Sequence, residues 1–236
     1  MKIVILASDT AHRRYFIKKI IATGAPVSLI IFETESIKPS FPIGPFYFEE
    51  ESSFEANNFF LEFNDNLDEY PIKYVKNINN LQSQTLISNE CPDLCLSFGT
   101  RKISNKTLSL FKDGGINVHR GIAEKYKGLD SNQWALYHKD IENIGVTLHL
   151  LDNNLDTGDI IFQETLRYPL DTKIFQMRYY ETILATKLSE KALKSYLSGD
   201  LKVRKQKNFA RYYSFMPLVL KEQLPFNIHN ETKSNS

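Results

Sequence analysis

Residues 2–32, KIVILASDTAHRRYFIKKIIATGAPVSLIIF, decide the fold class because two apolar runs flank an amphipathic segment. The first run, residues 2–8, is typical of a buried parallel strand. The next two residues have side-chain oxygens that can cap the N-terminus of a helix. Apolar side chains then recur on one helical face until Gly24 interrupts the pattern. The second run, residues 26–32, completes a strand–helix–strand unit. This start predicts a Rossmann-like, doubly wound α/β domain with a mostly parallel sheet and helices on both faces.

The rest of the chain continues to alternate between strand and helix patterns. Further strands are predicted at residues 72–75, 93–98, 116–118, 145–150 and 160–164. Helices are predicted at residues 48–63, 81–88, 105–111, 131–138 and 172–197. In the first of these helices the aromatic residues recur at helical spacing, so we expect Phe54, Phe59 and Phe63 to lie in the core.

The character of the sequence changes after residue 200. Residues 1–200 are therefore predicted to form one α/β domain, and residues 201–236 a short C-terminal extension with a frayed polar tail. The extension contains the aromatic residues Tyr212, Tyr213 and Phe215. These side chains either pack a homodimer interface or cover the chain's own core, and the sequence leaves both interpretations open.

The overall composition argues against several classes of partner. The 236 residues carry a formal net charge of +1, so no nucleic-acid or membrane partner is expected. No apolar run approaches the roughly 18 residues of a membrane span, and polar residues interrupt the N-terminal run, so we expect a cytoplasmic protein. The two cysteines, Cys91 and Cys95, match no common zinc spacing, and no metal is expected.

Three polar residues suggest a reactive centre. Asn117 and His119 are two positions apart at the end of a predicted strand, so both side chains face the same side of the sheet. Asp156 lies in a loop between two later strands, where its carboxylate can be held beside an imidazole. An amide donor, a histidine and a carboxylate suit the attack of an amine on a carbonyl group. A histidine on a strand is nevertheless more often structural, so the residues alone leave both interpretations open.

The order of motifs around these residues adds a resemblance. The motifs are Asn117-x-His119, Tyr126-Lys127-Gly128, Trp134-Ala135-Leu136, Gly145-Val146-Thr147-x-His149 and Asp156-x-Gly158-x-Ile160. Together they resemble the signature of the 10-formyltetrahydrofolate-dependent formyltransferase family. That family includes glycinamide ribonucleotide transformylase, methionyl-tRNA formyltransferase and the sugar N-formyltransferases. The resemblance implies a Rossmann-like formyltransferase fold and a catalytic domain over residues 1–200.

The resemblance also implies roles for individual residues. Asn117 would bind the formyl oxygen, His119 would act as general base or oxyanion partner, and Asp156 would orient and polarise His119. His149 is expected to support this architecture. The co-substrate implied is 10-formyltetrahydrofolate, without a metal. The residues expected to hold the folate are Phe98, Gly99, Thr100, Arg101, Ile103 and Asp152, and those expected to bind the acceptor are Lys125, Tyr126, Lys127 and Trp134.

The sugar N-formyltransferases are the branch that the chain resembles best. After its first strand, the chain lacks the Gly-Ser-Asn phosphate-binding turn that the glycinamide ribonucleotide enzymes carry there. Residues 200–236 are too few for the C-terminal barrel of the methionyl-tRNA enzymes. The acceptor implied is a nucleotide-linked amino sugar, such as a dTDP-4-amino-4,6-dideoxyhexose destined for surface polysaccharide, and a homodimer is expected.

Two stretches depart from the family pattern. Arg-Gly-Ile-Ala-Glu follows His119, and residues 129–132, Leu-Asp-Ser-Asn, replace a usual proline. Both departures border the acceptor pocket and leave the identity of the acceptor open. A non-catalytic nucleotide-sugar or folate-binding module is the alternative from another class. The presence of all three catalytic candidates argues against it.

Overall fold

The structure is a computed structural model that describes residues 1–61, 66–207 and 210–228. Its strands are β1 (Ile3–Ser8), β2 (Val27–Glu33), β3 (Ile72–Val75), β4 (Leu94–Phe98), β5 (Gly115–His119), β6 (Tyr126–Gly128), β7 (Gly145–Leu150), β8 (Ile160–Thr165) and β9 (Arg211–Tyr213). Its helices are α1 (Ala11–Ala22), α2 (Phe48–Phe59), α3 (Leu81–Glu90), α4 (Asn105–Leu108), α5 (Ser131–Tyr137), α6 (Met177–Leu197) and α7 (Leu218–Lys221). Short 3-10 turns lie at Ile141–Asn143 and Ile174–Gln176.

Seven strands form one sheet in the order β3-β2-β1-β4-β5-β7-β8. The strands β3, β2, β1, β4 and β5 are parallel, and β7 and β8 continue the sheet in the antiparallel sense. This arrangement confirms the predicted fold class. The chain leaves β1 towards β2 and β3 and later returns to β4 on the other side of β1. The carboxyl ends of β1 and β4 therefore border a topological switch point, where such sheets bind ligands.

The core lies on both faces of the sheet. Ile3 and Ile5 of β1 pack on one face with α1 and α6, in a cluster that includes Phe16 and Leu188. Val4 and Leu6 point to the other face and pack with α3 and Cys95. Because neighbouring residues of β1 are buried on opposite faces, the strand is a continuous apolar run without alternation. Cys95 is a buried free thiol within this second cluster.

Several helix boundaries differ from the predictions. α2 ends at Phe59, which is buried as expected, whereas Phe63 lies outside the described residues. α6 begins at Met177 instead of residue 172, because the 3-10 turn Ile174–Gln176 precedes it. No helix within the described ranges is both long and apolar enough to cross a membrane.

The described part of the C-terminal extension packs against the α/β body. β9 pairs with β6 in a separate two-stranded parallel sheet, which the sequence did not predict. Tyr213 lies against the rings of Tyr126 and Trp134, with centroid distances of 5.4 and 5.2 Å. Met216 and Leu224 are buried in the same cluster. Tyr213 therefore covers the chain's own core, while the domain boundary at residue 200 and the homodimer stay predictions.

Candidate active site

The candidate site lies in a cavity of about 1230 Å³ at the carboxyl ends of β1, β4 and β5. Asn117 and His119 of β5 and Asp156 of the β7–β8 loop all line it. In the antiparallel pairing of β5 with β7, Asn117 lies directly opposite His149. Residues opposite each other across two strands present their side chains to the same face. The register between β5 and β7 therefore adds His149 to the three predicted residues.

The four side chains form one connected group. The Nδ2 atom of Asn117 lies 3.1 Å from Nε2 of His149 and 3.4 Å from Oδ1 of Asp156. Nε2 of His149 lies 3.2 Å from Oδ1 of Asp156. The other carboxylate oxygen, Oδ2, lies 3.5 Å from Nδ1 of His119. The structure thus brings the three predicted catalytic side chains together around a single carboxylate.

The two ring nitrogens of His119 have different partners. Nε2 lies 2.9 Å from the backbone carbonyl oxygen of Tyr126. A carbonyl oxygen can only accept, so Nε2 carries a hydrogen and Nδ1 is left to gain and lose a proton. Burial lowers the pKa of His119, and the charge of Asp156 and the bond to Tyr126 offset this only in part. His119 is therefore a neutral imidazole near pH 7, with its basic nitrogen next to Asp156.

Asp156 is held as an ionised carboxylate. Its Oδ2 accepts a hydrogen bond of 2.8 Å from the backbone N–H of Gly128 in β6. Burial by itself raises the pKa of Asp156. Three effects outweigh burial and hold this pKa below its usual range: the positive charge that His119 carries in acid, where Asp156 would titrate, the contacts with His149, and the bond from Gly128. A negative charge fixed beside Nδ1 of His119 stabilises the imidazolium that forms when that nitrogen takes a proton.

The backbone of the Asp156 loop explains its short motif. Asp156 has a positive φ of 54°. A Cβ atom at Gly158 would lie 1.8 Å from the backbone oxygen of Leu150, so only glycine allows the chain to pass at that point. The spacing Asp-x-Gly is therefore a steric requirement of the turn that delivers the carboxylate to the site.

A family model described as formyl transferase matches residues 48–183, which is more than half of the chain. The chain belongs to the formyltransferase family. Residues 117–156 of the candidate site lie inside the matched range, so the site is built from the part of the chain that carries the family relationship. The other residues that line the cavity lie both inside and outside the matched range.

Individual relatives match shorter parts of the chain. It is 37% identical over 98 residues to the bifunctional polymyxin resistance protein ArnA of Wigglesworthia glossinidia brevipalpis, covering 41% of this chain and 15% of that protein. It is 31% identical over 112 residues to the methionyl-tRNA formyltransferase of Myxococcus xanthus, covering 47% of this chain and 36% of that protein. The chain therefore spans less than half the length of these relatives.

A solved structure shares the fold over most of the chain. The formyltransferase PseJ from Anoxybacillus kamchatkensis, in complex with UDP-4,6-dideoxy-4-formamido-L-AltNAc and tetrahydrofolate, matches with a TM-score of 0.57. The match has 20% sequence identity and covers 91% of this chain and 86% of the PseJ chain. An identity this low shows the shared fold and no more.

All six residues predicted to hold the folate line the cavity. Gly99 has a positive φ of 71°, and a Cβ atom there would lie 2.1 Å from the guanidinium of Arg13. Arg101 forms an ion pair with Glu33 and donates to the backbone oxygen of Glu35 at 2.7 Å. Arg101 therefore ties this loop to the end of β2 as well as lining the cavity.

The four residues predicted to bind the acceptor are absent from the cavity lining that the described residues form. The hydroxyl of Tyr126 donates to Asp140 at 2.9 Å, and the indole N–H of Trp134 donates to the backbone oxygen of Ser214 at 2.9 Å. Lys125 is exposed, whereas Lys127 is buried in β6. The geometry does not support side-chain contacts from these residues to an acceptor. The strand β6 serves the site through its backbone groups instead.

Three further arginines, none of them predicted from the sequence, lie in the cavity wall. Arg178 is paired with Glu51 at 2.7 Å, and Arg120 is paired with Glu181 at 3.3 Å. Arg13 differs, because it has no carboxylate within ion-pairing distance in the described ranges. Its Nη1 donates to the Ser8 hydroxyl at 2.7 Å. Burial and the charges of the other two arginines lower the pKa of Arg13 to about 9.

The family departure at residues 129–132 has a structural explanation. The side-chain amide of Asn132 exchanges two hydrogen bonds of 3.0 Å with the backbone N–H and C=O of Gly145. The carboxylate of Asp130 accepts from the backbone N–H of Met216 and from Lys221, both at 3.0 Å. These residues therefore join α5 to β7 and to the C-terminal extension, while both also line the cavity.

The described residues contain no cluster of three or more His, Cys, Asp or Glu side chains placed to hold a metal ion. The group around Asp156 is instead joined by hydrogen bonds and by opposite charge.

Proposed function

We propose that this chain transfers a formyl group from 10-formyltetrahydrofolate to the amine of a nucleotide-linked amino sugar, at the centre formed by Asn117, His119 and Asp156. The observation that carries the proposal is the pairing of a neutral His119 nitrogen with the ionised Asp156 carboxylate inside a large cavity. Family membership supports the reaction class. The ligands named for PseJ, a UDP-linked formamido sugar and tetrahydrofolate, support the choice of substrates.

The geometry supports a direct transfer. The neutral amine of the acceptor attacks the formyl carbon, and a new C–N bond forms while negative charge collects on the former carbonyl oxygen. The Asn117 amide has two hydrogens, and one can donate to that oxygen while the other faces the Asp156 group. Nδ1 of His119 takes the proton that the attacking nitrogen loses. The oxygen then re-forms its double bond to carbon as the bond to N10 of the folate breaks. The protonated Nδ1 of His119 gives its proton to N10, so that tetrahydrofolate leaves and neutral His119 is restored.

The cavity has room for both substrates. Pockets for single small molecules usually occupy about 300–1,000 Å³, and this cavity of about 1230 Å³ is larger. The apolar side chains of Phe98, Ile103 and Leu155 line it, which suits the flat ring system of a folate. We propose that the folate lies along the loop after β4, and that the acceptor lies on the side of Arg13 and α6.

The finer identity of the acceptor belongs to the same proposal. A dTDP-4-amino-4,6-dideoxyhexose destined for surface polysaccharide is the acceptor that the sequence resemblance favours, and UDP-linked sugars are the alternative. The two lysines predicted to bind the acceptor, Lys125 and Lys127, do not line the cavity, and Arg13 does. Arg13 is therefore the candidate for binding the diphosphate of the acceptor. A cytoplasmic location and a homodimer stay predictions.

Replacing Arg13 by methionine should raise KM for the nucleotide sugar by about 10- to 100-fold, because a hydrogen bond to a charged group contributes about 1.5–3 kcal/mol. KM for the folate should rise less, because Arg13 touches only the edge of the proposed folate loop, at Phe98 and Gly99. Steady-state kinetics with each substrate varied in turn checks this result. Arg14→Met is the matched control, since Arg14 pairs with Asp9 and is itself absent from the cavity lining that the described residues form. An unchanged KM for the acceptor in Arg13→Met would show that the diphosphate binds elsewhere.

The rate of transfer should fall as the pH drops through a midpoint below 6.5, the ordinary pKa of histidine. The base must be unprotonated to accept a proton, and burial lowers the pKa of His119, so activity persists to lower pH than for an exposed histidine. The measurement is kcat at saturating substrates between about pH 5 and 8. A midpoint above 6.5 would contradict the assignment of His119 as the base.

A panel of acceptors tests the proposed substrate class. The protein is incubated with 10-formyltetrahydrofolate and, separately, with dTDP-, UDP- and GDP-linked amino sugars, glycinamide ribonucleotide and methionyl-tRNA. Release of tetrahydrofolate together with formylation of an amino sugar is the expected result. Formylation of only the ribonucleotide or the tRNA would overturn the choice of acceptor. Folate binding without transfer to any acceptor would favour a binding module.

A further inference from the structure

The C-terminal extension touches the backbone that carries Asp156. The side-chain Nε2 of Gln206 donates to the carbonyl oxygens of Asp156 and Gly158, both at 2.9 Å. The amide orientation is set by chemistry, because the opposite orientation would place the amide oxygen against two carbonyl oxygens. The side-chain amide of Gln206 thus donates both of its hydrogens to the turn that holds the catalytic carboxylate.

Gln206 is itself held in place from both sides. Arg204 exchanges backbone hydrogen bonds of 2.7 and 2.8 Å with Ile160, the first residue of β8. The guanidinium of Arg204 forms two hydrogen bonds with Glu124, at 2.8 and 2.9 Å, and the backbone N–H of Lys207 donates to the same carboxylate at 2.6 Å. These hydrogen bonds lower the pKa of Glu124 to about 2. Glu124, which lies in the sequence between His119 and β6, therefore holds the residues on both sides of Gln206 in place.

A second contact of the extension reaches the same centre. β9 pairs with β6, and β6 supplies the two backbone groups that hold the catalytic pair: the carbonyl oxygen of Tyr126 for His119 and the N–H of Gly128 for Asp156. Gly128 has a positive φ of 92°, and a Cβ atom there would lie 2.1 Å from the backbone oxygen of Tyr213. The close approach of β9 therefore requires glycine at residue 128.

We propose that the C-terminal extension sets the position of the Asp156 carboxylate relative to His119, with Gln206 as the positioning residue. The extension lies beyond residues 48–183, the range that the family model matches. Without the two hydrogen bonds from Gln206, the turn at Asp156 is free to relax from its left-handed conformation. A displacement of about 1 Å in a catalytic group can cost about 100-fold in rate. This inference rests on the proposed function for its kinetic consequences, but not for its effect on His119.

Replacing Gln206 by methionine removes both donors and keeps a side chain of similar length. We expect kcat to fall by about 10- to 100-fold, with little change in KM for either substrate. Gln206→Lys restores a donor, so its kcat should exceed that of Gln206→Met. Gln223→Met is the control, because Gln223 is an exposed glutamine of the extension whose side-chain amide donates to Val219 within its own helical turn. A kcat within twofold of wild type in Gln206→Met, or no recovery in Gln206→Lys, would overturn the proposal.

A second measurement separates positioning from loss of stability and does not need activity. Asp156 raises the pKa of His119, so a displaced carboxylate should lower that pKa in Gln206→Met. Titration of the histidine rings by NMR, without substrates, reports this pKa directly, and the acid limb of kcat should move in the same direction. An unchanged His119 pKa would show that Gln206 does not position Asp156. If wild type transfers no formyl group while the pKa still shifts, the proposed function fails and the positioning role stands.

Discussion

Replacing His119 by glutamine should lower kcat for formyl transfer by about 10²- to 10⁴-fold, the usual contribution of a positioned general base. Glutamine can still donate to the backbone oxygen of Tyr126, which keeps the local hydrogen bond. It has no nitrogen that accepts a proton in place of Nδ1, so the proton from the attacking amine has no acceptor beside Asp156. KM for 10-formyltetrahydrofolate should change little, because the folate is expected to lie along the loop after β4.

The measurement is steady-state kinetics combined with a folate-binding titration for wild type and variant. His138→Gln is the matched control, since His138 packs against Tyr126 and Trp134 away from the cavity lining. A loss that is confined to folate affinity, with kcat unchanged, would mean that His119 only binds substrate.

Replacing Asp156 by asparagine should lower kcat by about 10³-fold or more, as neutralising the carboxylate that supports a catalytic histidine commonly does. The charge of Asp156 raises the pKa of His119, so its removal lowers that pKa further and makes Nδ1 a weaker base. The neutral side chain also no longer stabilises the imidazolium that forms during transfer. Both effects act on the transition state, so the loss should appear in kcat more than in the folate dissociation constant.

Asp159→Asn provides the control in the same loop, because Asp159 forms an ion pair with Lys205 at 2.9 Å and is absent from the cavity lining that the described residues form. Thermal unfolding of both variants separates catalysis from folding. If Asp156→Asn keeps most of its kcat, or if Asp159→Asn loses as much, then the carboxylate beside His119 does not contribute through its charge.

Much of the architecture could be predicted from local patterns. The apolar runs of β1, β2 and β4 indicate strands buried on both faces, and the structure places them together in the sheet. The two-residue spacing of Asn117 and His119 correctly placed both side chains on one face. These features depend on single segments, so periodicity along the chain is sufficient to find them.

The features that were missed depend on pairing between distant segments. His149 was expected to support the site, but its contact with Asn117 was not, because that contact depends on the register of β5 and β7, which no single strand contains. β6 and β9 have three residues each, too few for an alternating pattern, and they are separated by more than 80 positions. For the same reason Gln206 gave no signal in a basic, polar stretch.

For a related reason, the sequence could not show that two of the acceptor candidates have partners inside the protein. Tyr126 and Trp134 occur in motifs of the family signature, but their polar atoms are used inside the protein by Asp140 and Ser214. Arg13 faces the cavity from the start of α1. In the sequence it is one of two consecutive arginines, and only the structure shows that Arg14 pairs with Asp9 while Arg13 points into the site.

The most direct test follows a labelled formyl group from 10-formyltetrahydrofolate in the presence of a dTDP- or UDP-linked amino sugar, with wild type and His119→Gln side by side. Wild type should move the label to the sugar amine, with one tetrahydrofolate released for each formamide formed, and His119→Gln should be slower by orders of magnitude. Label that appears only as formate, or a transfer that the variant performs as fast as wild type, would contradict the assignment of this centre.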